Sequence, residues 1–303
     1  MVFVFGICQD IGELGYGTTR IRAVRSVPPG GNDLEQLETR MNQETALKFV
    51  GAHPPEFTPE EALLISEQHF GVSGTLSPLW GERDQNFKVS PNAPGDHSGF
   101  VLKISNDREH ATAIDFQIKA LQHLGRTAPA LPCPHLKPLL DGRSSGCITG
   151  KNGEEHLIHM VTLLGGVTLF DVPLNHDILY AVGAQAGAAT AGLRGFFHAA
   201  AGHDLFWDIR HIQKYSQYTQ HVADVGLRKT IEDFVSFFGR DILPSLDRSR
   251  SQIIHHDTNL TNVLVDPDSP AQVTGLIDFG DMIHGPVIQD LAVAAAEVVR
   301  GDG

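Results

Sequence analysis

The chain has 303 residues, of which 41% are hydrophobic and 19% charged, as in globular proteins of one or two domains and unlike disordered chains. Its net charge of −13 argues against binding to nucleic acid, which requires clustered lysine and arginine. No segment approaches the ~20 apolar residues that span a membrane, and three widely spaced cysteines suit neither a disulfide framework nor a zinc site. We expect a cytoplasmic protein that binds neither nucleic acid nor membrane.

Residues 1–52 are the least informative part of the sequence. The glycines of residues 12–17 follow no apolar strand and precede no helix pattern, so they do not indicate a nucleotide-binding loop. The Pro-Pro-Gly-Gly of residues 28–31 interrupts any regular element. Apart from a short polar helix over residues 35–49, we expect a poorly ordered extension.

Residues 53–165 predict a β-rich lobe. Thr58 followed by proline and two glutamates is a helix start signal, and Gly71 is the corresponding stop. Strand patterns follow, then a helix with one apolar face that ends near Gly125, then further strand patterns. We expect a mostly antiparallel sheet with one helix packed on it. The strands are predicted at residues 74–79, 87–90, 100–105, 136–140, 146–149 and 155–164.

The strand at residues 100–105 carries a lysine between apolar neighbours. The two-residue period of a strand places Leu102 and Ile104 on one face and Lys103 on the other. A lysine in mid-strand is either a charge that protects a sheet edge or a functional cation, and the strand alone leaves both readings open. His156 and His159, three residues apart on another predicted strand, point to opposite faces and so do not form a metal site.

Residues 166–303 predict a helical lobe that ends in a polar hairpin. Helices are expected over residues 175–198 and 221–242, the second with Leu227 among its buried side chains. Residues 263–265 and 273–277 are short apolar strands joined by a turn rich in aspartate, proline and serine, which predicts a hairpin.

This hairpin predicts a cluster of oxygen ligands. In an antiparallel pair, the residue that enters the first strand lies near the one that leaves the second. Asn262 and Asp278 are therefore expected to be neighbours, with Asp257 a few residues upstream on the same rim. Two hard oxygen ligands beside a separate carboxylate suit Mg²⁺ that arrives with phosphates.

Taken together, these stretches resemble the aminoglycoside-phosphotransferase and choline-kinase superfamily, and most of all its hydroxylysine-kinase branch. That branch includes phosphotransferase domains fused to class III aminotransferases. The resemblance covers roughly residues 55–300. It implies an α+β, protein-kinase-like fold of two lobes whose C-terminal helices are incomplete, because the chain ends 13 residues after Asp290. The residues that carry it are His255-His256-Asp257-x-x-x-x-Asn262, Ile277-Asp278-Phe279-Gly280-Asp281, residues 82–87, residues 101–106 and residues 273–282.

The resemblance implies a kinase that uses Mg²⁺ and ATP or GTP to phosphorylate a hydroxyl group of an amino acid or amino alcohol. Hydroxylysine is the favoured acceptor; homoserine, choline-like compounds and aminoglycosides are alternatives. Asp257 corresponds to the catalytic aspartate, Asn262 and Asp278 to the Mg²⁺ ligands, and Lys103 to the lysine that neutralises the phosphates. Residues 81–87 correspond to the loop over the phosphates, with Gly81, Arg83, Asp84, Gln85 and Asn86 as its candidate binding residues.

Other positions correspond to supporting residues or depart from the superfamily pattern. His255 and Asp290 correspond to residues that hold the catalytic loop. His256 stands where a glycine is usual. The helix glutamate that usually pairs with the lysine is replaced, by register, by Gln117, with Asp115 and Glu109 as rivals.

These departures leave two alternatives to an active kinase. The first is a nucleotide-binding module with little or no turnover, as a fragment of, or in association with, an aminotransferase-fused protein. The second, a metal hydrolase built on His255, His256 and Asp257, is disfavoured because adjacent residues of an extended loop point apart.

Overall fold

The structure is a computed structural model that describes residues 54–92, 99–203, 205 and 207–299. The extension predicted for residues 1–52 lies outside the described residues. The described chain forms two compact units, one of residues 203–248 and the other of residues 54–202 and 249–299. The predicted lobe boundary after residue 165 stays a prediction.

The larger unit begins with a helix whose start and stop are those predicted. In α1 (Pro59–Ile65), the Thr58 hydroxyl accepts from the backbone N–H of Glu61, and the Glu61 carboxylate accepts from that of Thr58 at 2.8 Å. The helix continues as a π-helical turn, Ser66–Phe70, and ends at Gly71, whose φ of 66° lies in the left-handed region.

A mostly antiparallel sheet follows, also as predicted. Its strands pair in the order β1-β2-β3-β6-β4, and β5 pairs with the other part of β6. Leu102 and Ile104 of the third strand are buried in a core shared with α1, so the two faces alternate as expected. The elements are β1 (Gly74–Leu79), β2 (Gln85–Pro91), β3 (Phe100–Ile104), α2 (Ala111–Thr127), β4 (Leu136–Lys137), β5 (Gly146–Thr149) and β6 (Glu155–Thr162).

The remainder of the larger unit joins helices to short strands. Apolar side chains of α2 and of α3 (His176–Gly192) share one core with the hairpin strands near the C-terminus. Asn175 caps α3, its side chain accepting from the N–H of Ile178 at 3.0 Å. Just before α3, β7 (Val167–Thr168) follows Gly166, whose φ is 121°.

The smaller unit is helical. Its regular helices are α4 (Ile212–Tyr215), α5 (Val225–Phe237) and α6 (Leu243–Leu246), with a π-helical turn over Phe238–Ile242. The predicted helix over residues 221–242 begins later than expected, because Asp224 caps it by accepting from the N–H of Leu227 at 2.9 Å. The prediction that Leu227 is buried was wrong: it lies in the first turn, 43% exposed.

The C-terminal strands belong to the larger unit. They are β8 (Ser251–Ile254), β9 (Val263–Val265), β10 (Val273–Leu276) and β11 (Ile283–Pro286), and α7 (Ile288–Val299) follows them. Strands β9 and β10 form the predicted antiparallel hairpin, β7 adds a third strand beside β9, and β8 pairs with β11. Among the described residues, no helix is long and apolar enough to cross a membrane.

Candidate active site

The hairpin brings Asn262 and the segment before Asp278 together. Asn262 immediately precedes β9, and its backbone carbonyl accepts from the N–H of Ile277 at 2.9 Å. Asp278 follows directly, with a left-handed φ of 59° that aspartate tolerates better than most residues. The neighbourhood predicted from antiparallel pairing is therefore present.

Asp257 is held by two amide side chains. Asn262 donates from Nδ2 to Oδ2 of Asp257 at 2.6 Å and to its backbone carbonyl at 3.0 Å. Asn259 donates from Nδ2 to the other carboxylate oxygen, Oδ1, at 2.8 Å. The carboxylate of Asp257 is thus fixed in orientation at the rim of the hairpin.

Asn259 is a site residue that the sequence analysis missed. Its Oδ1 accepts from the backbone N–H groups of Thr261 and Asn262, at 2.9 and 3.0 Å, and from the Thr261 hydroxyl at 2.7 Å. This side-chain turn shapes the loop and aims the Asn259 amide at Asp257. The available signal was an asparagine in a loop, two residues after the catalytic candidate.

His255 holds the loop in place through hydrogen bonds to Asp257 and to the segment before Asp278. Its Nε2 donates to the carbonyl of Ile277 at 3.1 Å, its Nδ1 accepts from the N–H of Asp257 at 3.2 Å, and its ring meets Phe279 edge-on at 4.7 Å. Burial lowers the pKa of His255 to about 4, so the ring is neutral at pH 7. Both nitrogens are engaged, which argues against His255 as a metal ligand in a hydrolase.

His256 and Asp290 fasten the loop to the last helix. The backbone N–H of His256 donates to Oδ1 of Asp290 at 2.7 Å, and the hydroxyl of Thr190 donates to its Oδ2 at 2.9 Å. His256 has a φ of 65°, the left-handed conformation in which glycine is at ease, and its side chain is buried. This geometry gives the physical reason why a glycine would suit position 256.

Lys103 faces the hairpin. Strand β3 is paired on both sides, with β2 and β6, so the lysine does not protect a sheet edge. Its Nζ lies 3.7 Å from Oδ1 of Asp278. Burial opposes the charge of Lys103, but Asp278 and Asp84 outweigh burial and raise its pKa above the ordinary value. Lys103 is therefore a charged lysine directed at Asp278.

The loop between β1 and β2 is tightly folded. A Cβ at Gly81 would lie 2.3 Å from the carbonyl oxygen of Asp84 and 2.5 Å from Nδ2 of Asn86, so only glycine fits. Asn86 in turn donates to the carbonyl of Trp80 at 3.4 Å.

Two further side chains bind protein groups: Asp84 of this loop and Gln85, which the structure places at the start of β2 rather than in the loop. Asp84 accepts from the backbone N–H of Asn106, two residues after the end of β3, at 3.2 Å. Gln85 exchanges two hydrogen bonds of 2.8 Å with the backbone of Phe57. A phosphate bound at this loop would therefore meet backbone amides more readily than the side chains of Asp84 and Gln85.

The three candidates for the partner of Lys103 lie in different surroundings. Gln117 is near the turn after Asp278: its Nε2 lies 3.8 Å from where a Cβ at Gly280 would be. Asp115 instead pairs with His198 at 3.0 Å and Lys119 at 2.6 Å. Burial and the negative charge of Asp84 raise the pKa of Glu109. Of the three, Gln117 lies beside the Asp278 turn.

Three carboxylates crowd the rim. Burial and the negative charges of Asp281 and Asp278 raise the pKa of Asp257 well above its ordinary value. Burial raises the pKa of Asp281 to about 6, even though Nη2 of Arg83 lies 3.1 Å from its Oδ1. The charge of Lys103 lowers the pKa of Asp278. A bound cation would relieve this repulsion.

Asn262 and Asp278 could hold such a cation. Because the Asn262 amide nitrogen is bound to Asp257, its Oδ1 is the atom left to act as a ligand. The Asp278 side chain is about half exposed, at 53%, and its Oδ1 pairs with Lys103 and accepts from the N–H of Gly280. Among the described residues, no three histidine, cysteine or acidic side chains are arranged so that they could hold a metal ion by themselves. This donor set suits Mg²⁺ that is completed by phosphate oxygens and water.

Comparison with known proteins shows which protein family the chain resembles. Residues 75–303 match the phosphotransferase enzyme family, APH. The hydroxylysine kinase of Mus musculus is 27% identical over 259 residues, which cover 79% of this chain and 68% of the mouse protein. The Danio rerio hydroxylysine kinase is 27% identical over 251 residues, covering 79% and 69%. These matches confirm the predicted resemblance to the hydroxylysine-kinase branch.

Solved structures share the fold. The amicoumacin kinase hAmiN, in complex with AMP-PNP, Ca²⁺ and Ami, matches with a TM-score of 0.61 at 12% identity, covering 81% of this chain and 71% of that one. A microcompartment-associated aminopropanol kinase matches with a TM-score of 0.52 at 20% identity, covering 76% and 72%. The predicted protein-kinase-like fold is thereby confirmed. Since the family match extends from β1 to the last residue, the chain belongs to the phosphotransferase enzyme family.

Proposed function

We propose that the protein is a kinase that transfers the γ-phosphoryl group of ATP or GTP to a hydroxyl group of a small amino acid or amino alcohol. The observation that carries this proposal is the arrangement around Asp257: a carboxylate fixed by Asn259 and Asn262, with Lys103 and Asp278 paired on the same rim.

Each residue has a physical role in this reaction. Asp257 orients the acceptor hydroxyl and accepts its proton as the oxygen attacks the γ-phosphorus and the bond to the leaving nucleoside diphosphate breaks. Lys103 neutralises phosphate charge. Asn262 and Asp278 would hold Mg²⁺, which when bound neutralises charge on the phosphate oxygens. Because the transition state is loose, position and charge neutralisation supply most of the rate.

Hydroxylysine is the acceptor that we propose. The support is the similarity to hydroxylysine kinases over 79% of the chain. A net charge of −13 also suits a substrate that carries ammonium groups.

The test is acceptor-dependent release of nucleoside diphosphate. The protein is incubated with Mg·ATP or Mg·GTP and a panel of alcohols: 5-hydroxylysine, homoserine, choline and an aminoglycoside. We expect stimulation by 5-hydroxylysine, and a loss of about 100-fold or more in kcat for Asp257→Asn. Stimulation by another acceptor alone would contradict the proposed substrate, and stimulation by none would contradict the proposed activity.

A second candidate is a nucleotide-binding module with little turnover. Gln117, the helix residue placed beside the Asp278 turn, can hydrogen-bond a lysine but cannot neutralise it. This candidate predicts that the protein binds Mg·ATP with no acceptor-dependent turnover. The cytoplasmic location and an association with an aminotransferase also stay predictions.

A further inference from the structure

Two neutral side chains flank Lys103 on the face of the sheet that it occupies. Asn86 of β2 and His159 of β6 are its direct cross-strand partners, because β3 pairs with both neighbouring strands in antiparallel register. Side chains opposite one another in such pairs share a face, with Cβ atoms about 4.5–5.5 Å apart. The three residues therefore form one row across the sheet, with the lysine in the middle.

Each flanking side chain has a buried atom that lacks a hydrogen-bond partner among the described residues. These atoms are Oδ1 of Asn86 and Nδ1 of His159. The amide nitrogen of Asn86 donates to the carbonyl of Trp80 at 3.4 Å, which leaves Oδ1 as the acceptor. An unpaired acceptor in a buried place destabilises a fold, so two of them beside one lysine call for a donor.

The imidazole of His159 is suited to accept a hydrogen bond. The residue is 2% exposed, and burial together with the charge of Lys103 lowers its pKa to about 3, so the ring is neutral at pH 7. A neutral imidazole that carries its proton on Nε2 has a lone pair at Nδ1.

Lys103 has donors to offer these atoms. An ammonium group carries three N–H donors, and Nζ lies 3.7 Å from Oδ1 of Asp278, which is the separation of an ion pair rather than of a hydrogen bond. The four-carbon stem of a lysine is flexible, so Nζ can turn toward Asn86 and His159 while the strands stay in place.

We propose that His159 is a positioning residue for Lys103: its Nδ1, together with Oδ1 of Asn86, accepts hydrogen bonds from Nζ when the ammonium group leaves Asp278. The proposal rests on the proposed nucleotide site, in which Asp278 is a metal ligand. His159 acts through Lys103 and does not itself contact the reacting atoms.

Neutral acceptors suit this task better than a carboxylate would. A carboxylate beside Lys103 fixes the ammonium group but also cancels its charge, whereas an imidazole and an amide hold it and leave the whole positive charge for phosphate. Asp278 then holds the lysine when no nucleotide is bound, and the neutral row holds it when nucleotide and metal are present.

The hydrogen bond to His159 is tested by nitrogen NMR, which does not depend on turnover. Protein labelled with ¹⁵N in its histidine rings is compared with and without Mg·ADP at pH 7.5, and the Nδ1 signal of His159 is identified by its absence in His159→Leu. We expect the signal to move toward that of a hydrogen-bonded nitrogen when Mg·ADP binds. Asp278→Asn, which releases the lysine, should move it in the same direction without nucleotide, and Lys103→Met should abolish both movements.

Calorimetry on the full chain measures the effect on phosphate binding, with adenosine as the ligand that lacks phosphate. We expect His159→Leu to weaken Mg·ADP about fivefold, as for loss of one hydrogen bond, and to leave adenosine unchanged. His159→Asn, whose amide oxygen can replace Nδ1 as acceptor, should restore most of the affinity. In Lys103→Met, the further change His159→Leu should have no effect, because His159 acts through the lysine.

His156→Leu is the matched control. It removes the other buried histidine of β6, whose Nδ1 contacts the carbonyl of Ser105 at 2.9 Å on the opposite face of the sheet. The control should lower stability and yet bind Mg·ADP like the wild type. Thermal unfolding of each variant verifies that it is folded.

Three results would overturn the proposal. An Nδ1 signal that neither Mg·ADP nor Asp278→Asn moves would mean that the imidazole accepts no hydrogen bond from the lysine. A signal that Mg·ADP still moves in Lys103→Met would make the nucleotide itself the partner. Equal losses of affinity for adenosine and Mg·ADP in His159→Leu would assign His159 a purely structural role.

The outcomes also separate this proposal from the proposed activity. A wild type that binds Mg·ADP and shows the movement of the Nδ1 signal, but phosphorylates no acceptor, would contradict only the activity. A wild type that binds no nucleotide would overturn both proposals.

Discussion

The side-chain amide of Asn262 donates to both the carboxylate and the backbone carbonyl of Asp257, at 2.6 and 3.0 Å. These two bonds fix both residues at once. They hold the carboxylate in one orientation and leave the amide oxygen of Asn262 as its possible metal ligand.

Asn262→Asp should therefore lose activity, because its side chain can no longer donate a hydrogen bond to Asp257. The variant keeps oxygen atoms for Mg²⁺ but sets a carboxylate against that of Asp257, and we expect kcat to fall about 100-fold or more. Asp278→Asn is the comparison, because it weakens a proposed metal ligand and keeps the contacts of Asp257. Activity is measured against Mg²⁺ concentration: excess Mg²⁺ should restore Asp278→Asn more than Asn262→Asp. Equal restoration would contradict this division.

Lys103→Met should weaken nucleotide binding. The change removes the cation 3.7 Å from Asp278, and we expect the KM for ATP to rise at least about tenfold. The same change should raise the pKa of Asp278, since Lys103 is the main cause of its lowering. Lys103→Arg keeps the charge and serves as the control. A KM unaffected by loss of the charge would refute the role of Lys103.

Asp290→Ala should loosen the loop that carries Asp257. The variant leaves the buried N–H of His256 without its acceptor, which costs about 1–3 kcal/mol of folding free energy. Thr190→Val removes only the hydroxyl that donates to the other oxygen, and should cost less. Urea unfolding measures the free energy of unfolding of both variants. A larger loss for Thr190→Val would mean that Asp290 mainly stabilises α3, through Thr190, and not the loop.

Position 256 should discriminate side chains by backbone preference. At a φ of 65°, asparagine is tolerated and a β-branched residue is strained. We expect His256→Val to be less stable than His256→Asn by roughly 1–2 kcal/mol, measured by urea unfolding. Equal stabilities would indicate that the loop relaxes out of the left-handed conformation.

His159 should make folding sensitive to acid. It lies opposite Lys103 in the β3–β6 pair, and burial, with the charge of Lys103, lowers its pKa from 6.5 to about 3. The pKa of His159 is lower in the folded state than in the unfolded chain, so the fold is most stable where the ring is neutral in both states, above pH 6.5. As the pH falls below 6.5 the unfolded chain binds the proton first, and the free energy of unfolding decreases, by roughly 3 kcal/mol at pH 4.

His159→Met should therefore flatten the loss of stability between pH 6.5 and 4, measured by urea unfolding at each pH. His176→Met, at a side chain that is 96% exposed, is the control and should leave the slope unchanged. An unaltered slope in His159→Met would assign the acid sensitivity to other groups, such as His255.

Local patterns in the sequence predicted much of this architecture. The capped start of α1 depends on Thr58 and Glu61, three residues apart, and the nearness of Asn262 to residues 277–278 depends on one hairpin. Both involve neighbours in the chain, for which spacing and turn chemistry are sufficient.

Relationships between distant segments could not be predicted in the same way. Arg83 meets Asp281 only because two elements 198 positions apart are packed together. His159 lies beside Lys103 because β6 is inserted next to β3 in the sheet order. The orientation of Asn259 depends on three acceptor contacts within a folded loop, which its residue type alone does not specify.

The short strand β7 has a consequence for engineering of the chain. It adds to the sheet of β9 and β10, and a Cβ on the preceding Gly166 would lie 2.6 Å from the carbonyl oxygen of Val265. A peptide inserted at residues 165–168 would thus pull a strand away from the hairpin that carries Asn262 and Asp278. The exposed turn at residues 151–153 joins β5 to β6, and its Lys151 pairs with Glu61 of α1 at 3.0 Å rather than with the hairpin. It is therefore the better place to insert a tag or to open the chain for circular permutation.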